Sequence, residues 1–83
     1  MFLSQLANGQ TATVHAVIAA SPEVGVATLR RLGELGFIPG EAVRVLRRGP
    51  GGREPLAVQV GDTLFALRLL EAHSIQVQLD SAI

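Results

Sequence analysis

The 83-residue chain is long enough for one domain with a small core, and its 48% hydrophobic content can fill that core. Seven arginines balance seven acidic residues and there is no lysine, so the net charge is zero. Zero net charge argues against a general nucleic-acid-binding protein, which needs a basic surface. Cysteine is absent, and the N-terminus has neither a basic segment nor a long apolar run. We therefore expect a cytoplasmic protein without a signal peptide or a membrane-spanning segment.

The first half of the chain predicts a helical turn, a strand and a helix. Residues 2–10 are typical of one helical turn that ends at Gly9. Residues 11–20 are rich in Thr, Val and Ala, which predicts a strand with these apolar residues on one face: Ala12, Val14, Ala16 and Ile18. Ser21 suits an N-cap and Pro22 the first helical position, so we expect a helix near residues 23–35. Its apolar side is formed by Val26, Leu29, Leu32 and Leu35.

The stretch that follows this helix predicts an abrupt stop and a chain reversal. Gly36 is placed to adopt the left-handed conformation that ends a helix. Pro39 and Gly40 fit the two central positions of a type II turn, since proline restricts φ and glycine accepts a positive φ. We therefore predict that Gly36, Pro39 and Gly40 have structural roles in the turn.

Four short strands are predicted in the second half. Val43 and Val45 alternate with Arg44 and Leu46, which predicts a strand. The glycine-rich stretch 49–55 reads as a flexible connection. Gly61 and Asp62 predict a two-residue hairpin turn. The strand after it has either Leu64 and Ala66 or Phe65 and Leu67 facing inward, and the sequence leaves both open. Residues 69–74 look like a single helical turn. The other inward residues are expected to be Leu56, Val58, Val60, Ile75, Val77 and Leu79.

This order of elements predicts a mostly β fold with one or two short helices. Short strands at close spacing favour a small SH3-like β-barrel, with a helical insertion after the first strand. An OB-type barrel is the alternative architecture. We find no internal repeat and expect a single domain over residues 1–83.

The sequence holds little that could catalyse a reaction. It has no phosphate-binding loop with an adjacent lysine and no serine in a glycine-flanked elbow, so we predict that it is not an enzyme. The candidate metal ligands are His15, Glu71 and His73, because imidazole and carboxylate groups suit transition metals. Their spacing forms no metal-binding motif. The sequence requires no cofactor and admits a weakly bound divalent metal ion.

Paired arginines fit two readings, a solvated surface or a face for an acidic partner or a nucleic-acid backbone. Arg30 and Arg31 lie on the predicted helix, and Arg47 and Arg48 precede the glycine-rich stretch. Apolar area rimmed by arginine suits a docking surface, since burial gives affinity and charge gives orientation. The predicted partner face comprises Arg30, Arg31, Leu32, Phe37, Arg47 and Arg48. The alternative for Leu32 is that it is simply buried.

Residues 3–79 resemble the FeoA family. The shared features appear in order: the helix end Leu32-Gly33-Glu34-Leu35-Gly36, then Phe37-Ile38, Pro39-Gly40, a strand over Val43–Leu46, a proline-containing loop, Ala66-Leu67-Arg68 and Ile75-Gln76-Val77. The resemblance implies a small SH3-like accessory protein of ferrous iron uptake. It also implies a partner, the FeoB-type membrane GTPase transporter, with no nucleic-acid partner and no insertion into the membrane. The same module occurs at the C-terminus of iron- and manganese-dependent repressors, so a metal-responsive module is the alternative. A homodimer also stays open.

Overall fold

A computed structural model describes residues 1–79 of the chain. Its strands are β1 (Thr11–Val17), β2 (Ala42–Arg48), β3 (Leu56–Val60), β4 (Thr63–Leu67) and β5 (Ile75–Leu79), and its α-helices are α1 (Val26–Glu34) and α2 (Leu69–Ala72). Two 3₁₀ turns, Leu3–Gln5 and Pro50–Gly52, precede β1 and β3. Neither helix is long and apolar enough to cross a membrane.

The strands form one antiparallel sheet in the order β4-β3-β2-β1-β5. The predicted mostly β fold, with a helix inserted after the first strand, is confirmed, but the sheet is open because β4 and β5 are not paired. The chain leaves the sheet after Leu67, since the backbone N–H of Arg68 donates to Glu71 Oε1 (2.8 Å) at the start of α2. Because the sheet is not closed, the word barrel in the predicted SH3-like architecture applies only loosely.

The core lies on the inner face of this sheet and consists almost entirely of aliphatic side chains. Leu32 of α1 and Phe37, just after it, are packed in this core. The rings of Phe37 and Phe65 are tilted by 50°, with centroids 6.0 Å apart. Of the two alternatives for β4, the structure shows Phe65 and Leu67 facing inward, while Leu64 is 64% exposed.

A β-bulge in β1 changes which residues face the core. Val14 pairs with Val77 and Ala16 pairs with Gln76, so His15 is the extra residue. One extra residue reverses the alternation of the side chains that follow it. Val17 therefore packs against the core and Ile18 is exposed, so the predicted inward position of Ile18 was wrong. Leu79, at the end of β5, is also exposed, contrary to prediction.

A second bulge lies in β2 and gives Arg48 its position. Val45 pairs with Val58 and Arg47 pairs with Ala57, which makes Leu46 the extra residue. Before the bulge the valines face inward. After the bulge, the side chain of Arg48 lies on the inner face of the sheet and that of Arg47 lies on the outer face. Two adjacent arginines of similar sequence context therefore have different surroundings.

Helix α1 begins later than the sequence predicted. The N-cap is Gly25, which has an extended backbone, and not Ser21. Ser21 instead accepts a hydrogen bond from the N–H of Val24 (3.0 Å), which closes a tight turn that buries Val24. This turn takes the place of the first residues of the predicted helix. Val26, expected on the apolar side of the helix, is 74% exposed.

The helix end and the turn after it form as predicted. Gly36 has φ +119°, and the N–H of Phe37 donates to the carbonyl of Leu32 (3.1 Å), which is the long bond of a Schellman motif. Gly40 has φ +92°, and the N–H of Glu41 donates to the carbonyl of Ile38 (3.1 Å) across the turn. This geometry is that of the predicted type II turn.

Candidate docking surface

Two clefts lie on either side of the exposed Ala66 in β4. The α1 cleft has a volume of about 500 Å³ and separates α1 and its preceding loop from the end of β4; its lining residues are Glu23, Val24, Thr28, Arg31, Ala66, Arg68, Leu70 and Glu71. The proline–arginine cleft has a volume of about 600 Å³; its lining residues are Arg47, Arg48, Gly49, Pro50, Pro55, Ala57 and Ala66. Arginines from α1, β2 and the end of β4 thus surround one small surface.

The charges of the α1 cleft are balanced within the cleft. Arg31 Nη1 forms an ion pair with Glu71 Oε2 (2.8 Å), and Glu71 Oε1 accepts the N–H of Arg68. Glu71 therefore uses one oxygen to connect α2 to α1 and the other to stabilise the first turn of α2. Arg68 is the second arginine of this cleft and Glu23 its second acid. An acidic partner would gain little net attraction here.

The proline–arginine cleft has a different electrostatic character, since arginines are its only charged lining residues among residues 1–79. Arg48 is half-buried, and its Nη2 donates to the carbonyls of Ser4 (2.7 Å) and Leu6 (2.8 Å). These bonds attach the first 3₁₀ turn to β2, so Arg48 has a structural role. Arg47 is exposed and forms no ion pair within residues 1–79. Arg47 is thus the arginine that this cleft offers to a partner.

The structure corrects the apolar part of the predicted partner face. Leu32 is 0% exposed and Phe37 is 1% exposed, so both side chains are enclosed in the core. Leu32 lies on the face of α1 that packs in the core, and the Schellman bond folds Phe37 back beside the last turn of α1. Neither can contact a partner while the protein is folded. Arg30 is exposed on α1 but lines neither cleft.

The candidate metal ligands lie in three different settings. His15 is exposed at the bulge of β1, and His73 follows α2 with its Nδ1 hydrogen-bonded to Ser4 Oγ. Both oxygens of Glu71 are already engaged, with Arg31 and with the N–H of Arg68. Within residues 1–79, no group of three His, Cys, Asp or Glu side chains could hold a metal ion. A site built from these three residues stays a prediction without support from the geometry.

Sequence reasoning missed Arg68 and the two prolines as lining residues. The glycine-rich stretch was interpreted as flexible, yet Gly49 donates its N–H to the carbonyl of Pro55 (2.9 Å), which brings Pro50 and Pro55 to one side. For Arg68, the sequence did contain a signal, namely the two-residue alternation of side chains along a strand. Arg68 has the same parity as Leu64 and Ala66, and correct assignment of the inward residues of β4 would have placed it outward.

Comparison with known proteins agrees with the fold described above and identifies the family. The family model described as the FeoA domain matches residues 1–79. A structure of FeoA from Stenotrophomonas maltophilia in complex with zinc, described as a prokaryotic SH3 domain protein, is 47% identical and has a TM-score of 0.83; the match covers 94% of this chain and 89% of that one. FeoA from Chlorobium tepidum is 38% identical with a TM-score of 0.81, over 98% of this chain and 71% of that one. The SH3-like fold class is thus confirmed.

A manganese-dependent transcriptional repressor shares the fold. It is 24% identical, with a TM-score of 0.75, and the match covers 95% of this chain and 41% of the repressor. This likeness shows a common fold and does not favour the metal-responsive alternative. No match was found among curated proteins.

Proposed function

Because this chain belongs to the FeoA family, which is associated with ferrous iron transport, we propose that it is an accessory protein that docks on a FeoB-type membrane GTPase transporter and modulates it. The observation that carries this proposal is the proline–arginine cleft, where apolar side chains lie beside Arg47. Within the described part of the chain, Arg47 has no ion-pair partner and the cleft lining has no acidic residue. The partner surface that fits is an apolar side chain next to a carboxylate. Such docking takes place in the cytoplasm, on the cytosolic part of the transporter.

The composition of the cleft suits protein docking better than small-molecule binding. Its apolar area comes from Pro50, Pro55, Ala57 and Ala66, none of which offers a side-chain hydrogen bond. A protein side chain can bury this area, and Arg47 can then orient the partner by pairing with an acidic group. The interaction would weaken with salt, because Arg47 is exposed and its charge is screened.

The cleft is preformed, which lowers the entropic cost of binding. Arg48 holds β2 to the first 3₁₀ turn through two carbonyls, and Gly49 is bonded to Pro55 across the loop. A Cβ at Gly49 would collide with the backbone carbonyl of Glu54, so the two sides of the loop are in close contact. The cleft surface is therefore already ordered before a partner binds, so little of the binding free energy is lost to ordering it.

We also propose that the protein has no catalytic activity of its own. No cysteine or lysine is available as a nucleophile, and the glycines of the 49–55 loop do not precede an α-helix that could bind a phosphate. Any effect on GTP hydrolysis then comes from contact with the transporter.

Binding to the purified cytosolic domain of the transporter tests this function, with and without GTP. Isothermal titration calorimetry should show binding by the native chain. Arg47→Glu should weaken it by about tenfold or more, because the variant replaces attraction by repulsion. Arg30→Glu is the matched control, since Arg30 is exposed outside both clefts and its charge change is identical. Absence of binding by the native chain in every nucleotide state would refute the docking proposal. Equal losses in the two variants would assign binding to another surface.

A further inference from the structure

The two edges of the sheet differ in how they are protected. Along β5, the N–H of Val77 donates to the carbonyl of Met1 (2.8 Å), and Phe2 forms a bridge with Gln76. The N-terminal residues therefore cover that edge. Along β4, no strand within residues 1–79 pairs with the outer side. An exposed edge offers unpaired backbone groups to another strand.

The hydrogen-bond pattern shows which residues of β4 present these groups. The N–H of Gly61 donates to Ala42 of β2 (3.3 Å), so the odd-numbered residues of β3 point to β2 and the even-numbered ones to β4. In the regular register between the two strands, three residues of β4 direct their backbone N–H and C=O groups toward β3: Thr63, Phe65 and Leu67. Leu64 and Ala66 direct their backbone N–H and C=O groups outward, away from the sheet.

This edge lacks the usual protections against strand pairing. The strand contains no proline and no lysine, and its register with β3 is uninterrupted, whereas the β1–β5 and β2–β3 ladders each contain a bulge. The α1 cleft leaves about 500 Å³ beside Ala66 and Arg68, which is space for an added strand. Among the strands of residues 1–79, none pairs with this edge, so it is open to a strand of another chain.

We propose that β4 pairs with β4 of a second copy of this chain in antiparallel orientation, with Phe65 on the two-fold axis. In this register Leu64 lies opposite Ala66 of the second copy, and these two residues exchange both backbone hydrogen bonds. One residue beyond each end of β4, the same register brings Asp62 to face Arg68 of the second copy. Neither Asp62 nor Arg68 has an ion-pair partner within residues 1–79, so both charges are available. Ala66 also lines the proline–arginine cleft, so the two proposed surfaces adjoin, but the dimer is measured in the absence of the transporter.

Charge complementarity selects this register over its neighbours. A shift that centres the pairing on Leu64 places Asp62 opposite Ala66, and a shift that centres it on Ala66 places Arg68 opposite Leu64. In-register parallel pairing places Asp62 beside Asp62 and Arg68 beside Arg68, which is repulsive. Opposite charges across a strand pair stabilise and like charges destabilise. The two-fold arrangement also occupies the free edge of both copies, so assembly stops at the dimer.

Analytical ultracentrifugation between about 10 µM and about 1 mM tests the dimer, since weak association falls in this range. We expect a concentration-dependent monomer–dimer equilibrium. Asp62→Arg and Arg68→Asp should each weaken it about tenfold, because each variant creates two like-charge pairs. The double variant with both substitutions should restore it. Ala66→Pro should abolish it, since proline removes the outward donor while the bonds to β3 remain. Arg30→Glu, outside the edge, should leave it unchanged.

Introduced cysteines test the register, because the native chain has none. Leu64→Cys and Ala66→Cys, mixed and oxidised, should form the mixed disulfide in preference to either symmetric one, since only the mixed pair lies directly opposite. Each variant must first show a native melting transition.

A chain that stays monomeric throughout the concentration range would overturn the proposal. So would a dimer that survives Ala66→Pro, or oxidation without preference for the mixed disulfide. If the amides of Leu64 and Ala66 became protected from hydrogen exchange only on addition of the transporter domain, the edge would belong to that partner instead.

Discussion

Replacing Gly40 by alanine measures the cost of one left-handed residue without a clash against the rest of the protein. Gly40 has φ +92°, and a Cβ built there meets no atom within 4 Å, so the substitution creates no clash. The penalty is therefore conformational, about 1–2 kcal/mol, because the left-handed region is unfavourable for a residue with a Cβ. The N–H of Gly40 donates to the carbonyl of Val14 (2.9 Å), and the N–H of Val14 donates to the backbone carbonyl of Glu41 (2.8 Å). These bonds hold the turn on β1 and prevent relaxation to a negative φ.

Gly33 is the matched control for this substitution. It lies within α1, and a Cβ built there also meets no atom within 4 Å. Both variants remove the same conformational entropy from the unfolded chain, so their difference reports the folded state. Gly33→Ala should stabilise the protein by about 0.5–1 kcal/mol, as alanine does within helices.

Thermal unfolding followed by circular dichroism separates the two variants. For a domain of this size, 1 kcal/mol shifts the melting temperature by about 4–8 °C. We expect Gly40→Ala to melt about 4–16 °C below the native protein and Gly33→Ala about 2–8 °C above it. Gly40→Val should melt lower than Gly40→Ala, because a β-branched residue resists a positive φ more strongly. An unchanged melting temperature for Gly40→Ala would refute the argument that the turn requires a left-handed residue.

Three further predictions concern the core, the first turn and catalysis. Leu32→Gln should destabilise the protein by about 2–5 kcal/mol, because it places an amide in the core, whereas Arg31→Glu should change the free energy of unfolding by about 1 kcal/mol or less. Equal melting temperatures for these two variants would contradict the assignment of Leu32 to the core. Arg48→Met should lower stability by about 1–3 kcal/mol, since the carbonyls of Ser4 and Leu6 lose their donor, and hydrogen exchange should increase in the first 3₁₀ turn. The purified protein should hydrolyse neither GTP nor ATP above background, and turnover that co-elutes with the folded chain would overturn the non-enzymatic proposal.

Local sequence was sufficient where one residue type satisfies a backbone requirement. Gly36 and the Pro39–Gly40 pair were assigned to a helix stop and a type II turn, and both adopt those conformations. The requirement lies within a few consecutive residues, and few residue types tolerate a positive φ. The same holds for the two-residue turn at Gly61, where φ is +55°. Strand positions in the second half were also predicted, since alternation is a local pattern.

Side-chain direction beyond a bulge was decided only by the tertiary structure. His15 and Leu46 are ordinary strand residues by sequence, and nothing local marks them as extra. Their bulges depend on the register with β5 and β3. Because one added residue reverses every later side chain, Ile18 is exposed and Arg48 faces inward. A partner-face prediction made from adjacent arginines could not distinguish Arg47 from Arg48 for this reason.

The sequence by itself determined the order of the elements, their turns and most of the residues that fill the core. It could not determine that the sheet stays open, because strand pairing depends on where the chain goes after Leu67, where α2 begins with a hydrogen bond from the N–H of Arg68 to Glu71. The same long-range geometry encloses Leu32 and Phe37 and leaves the outer edge of β4 uncovered. Hydrophobicity predicts that a side chain will be buried somewhere, but only the packed chain decides which apolar residues it covers and which edge it leaves free.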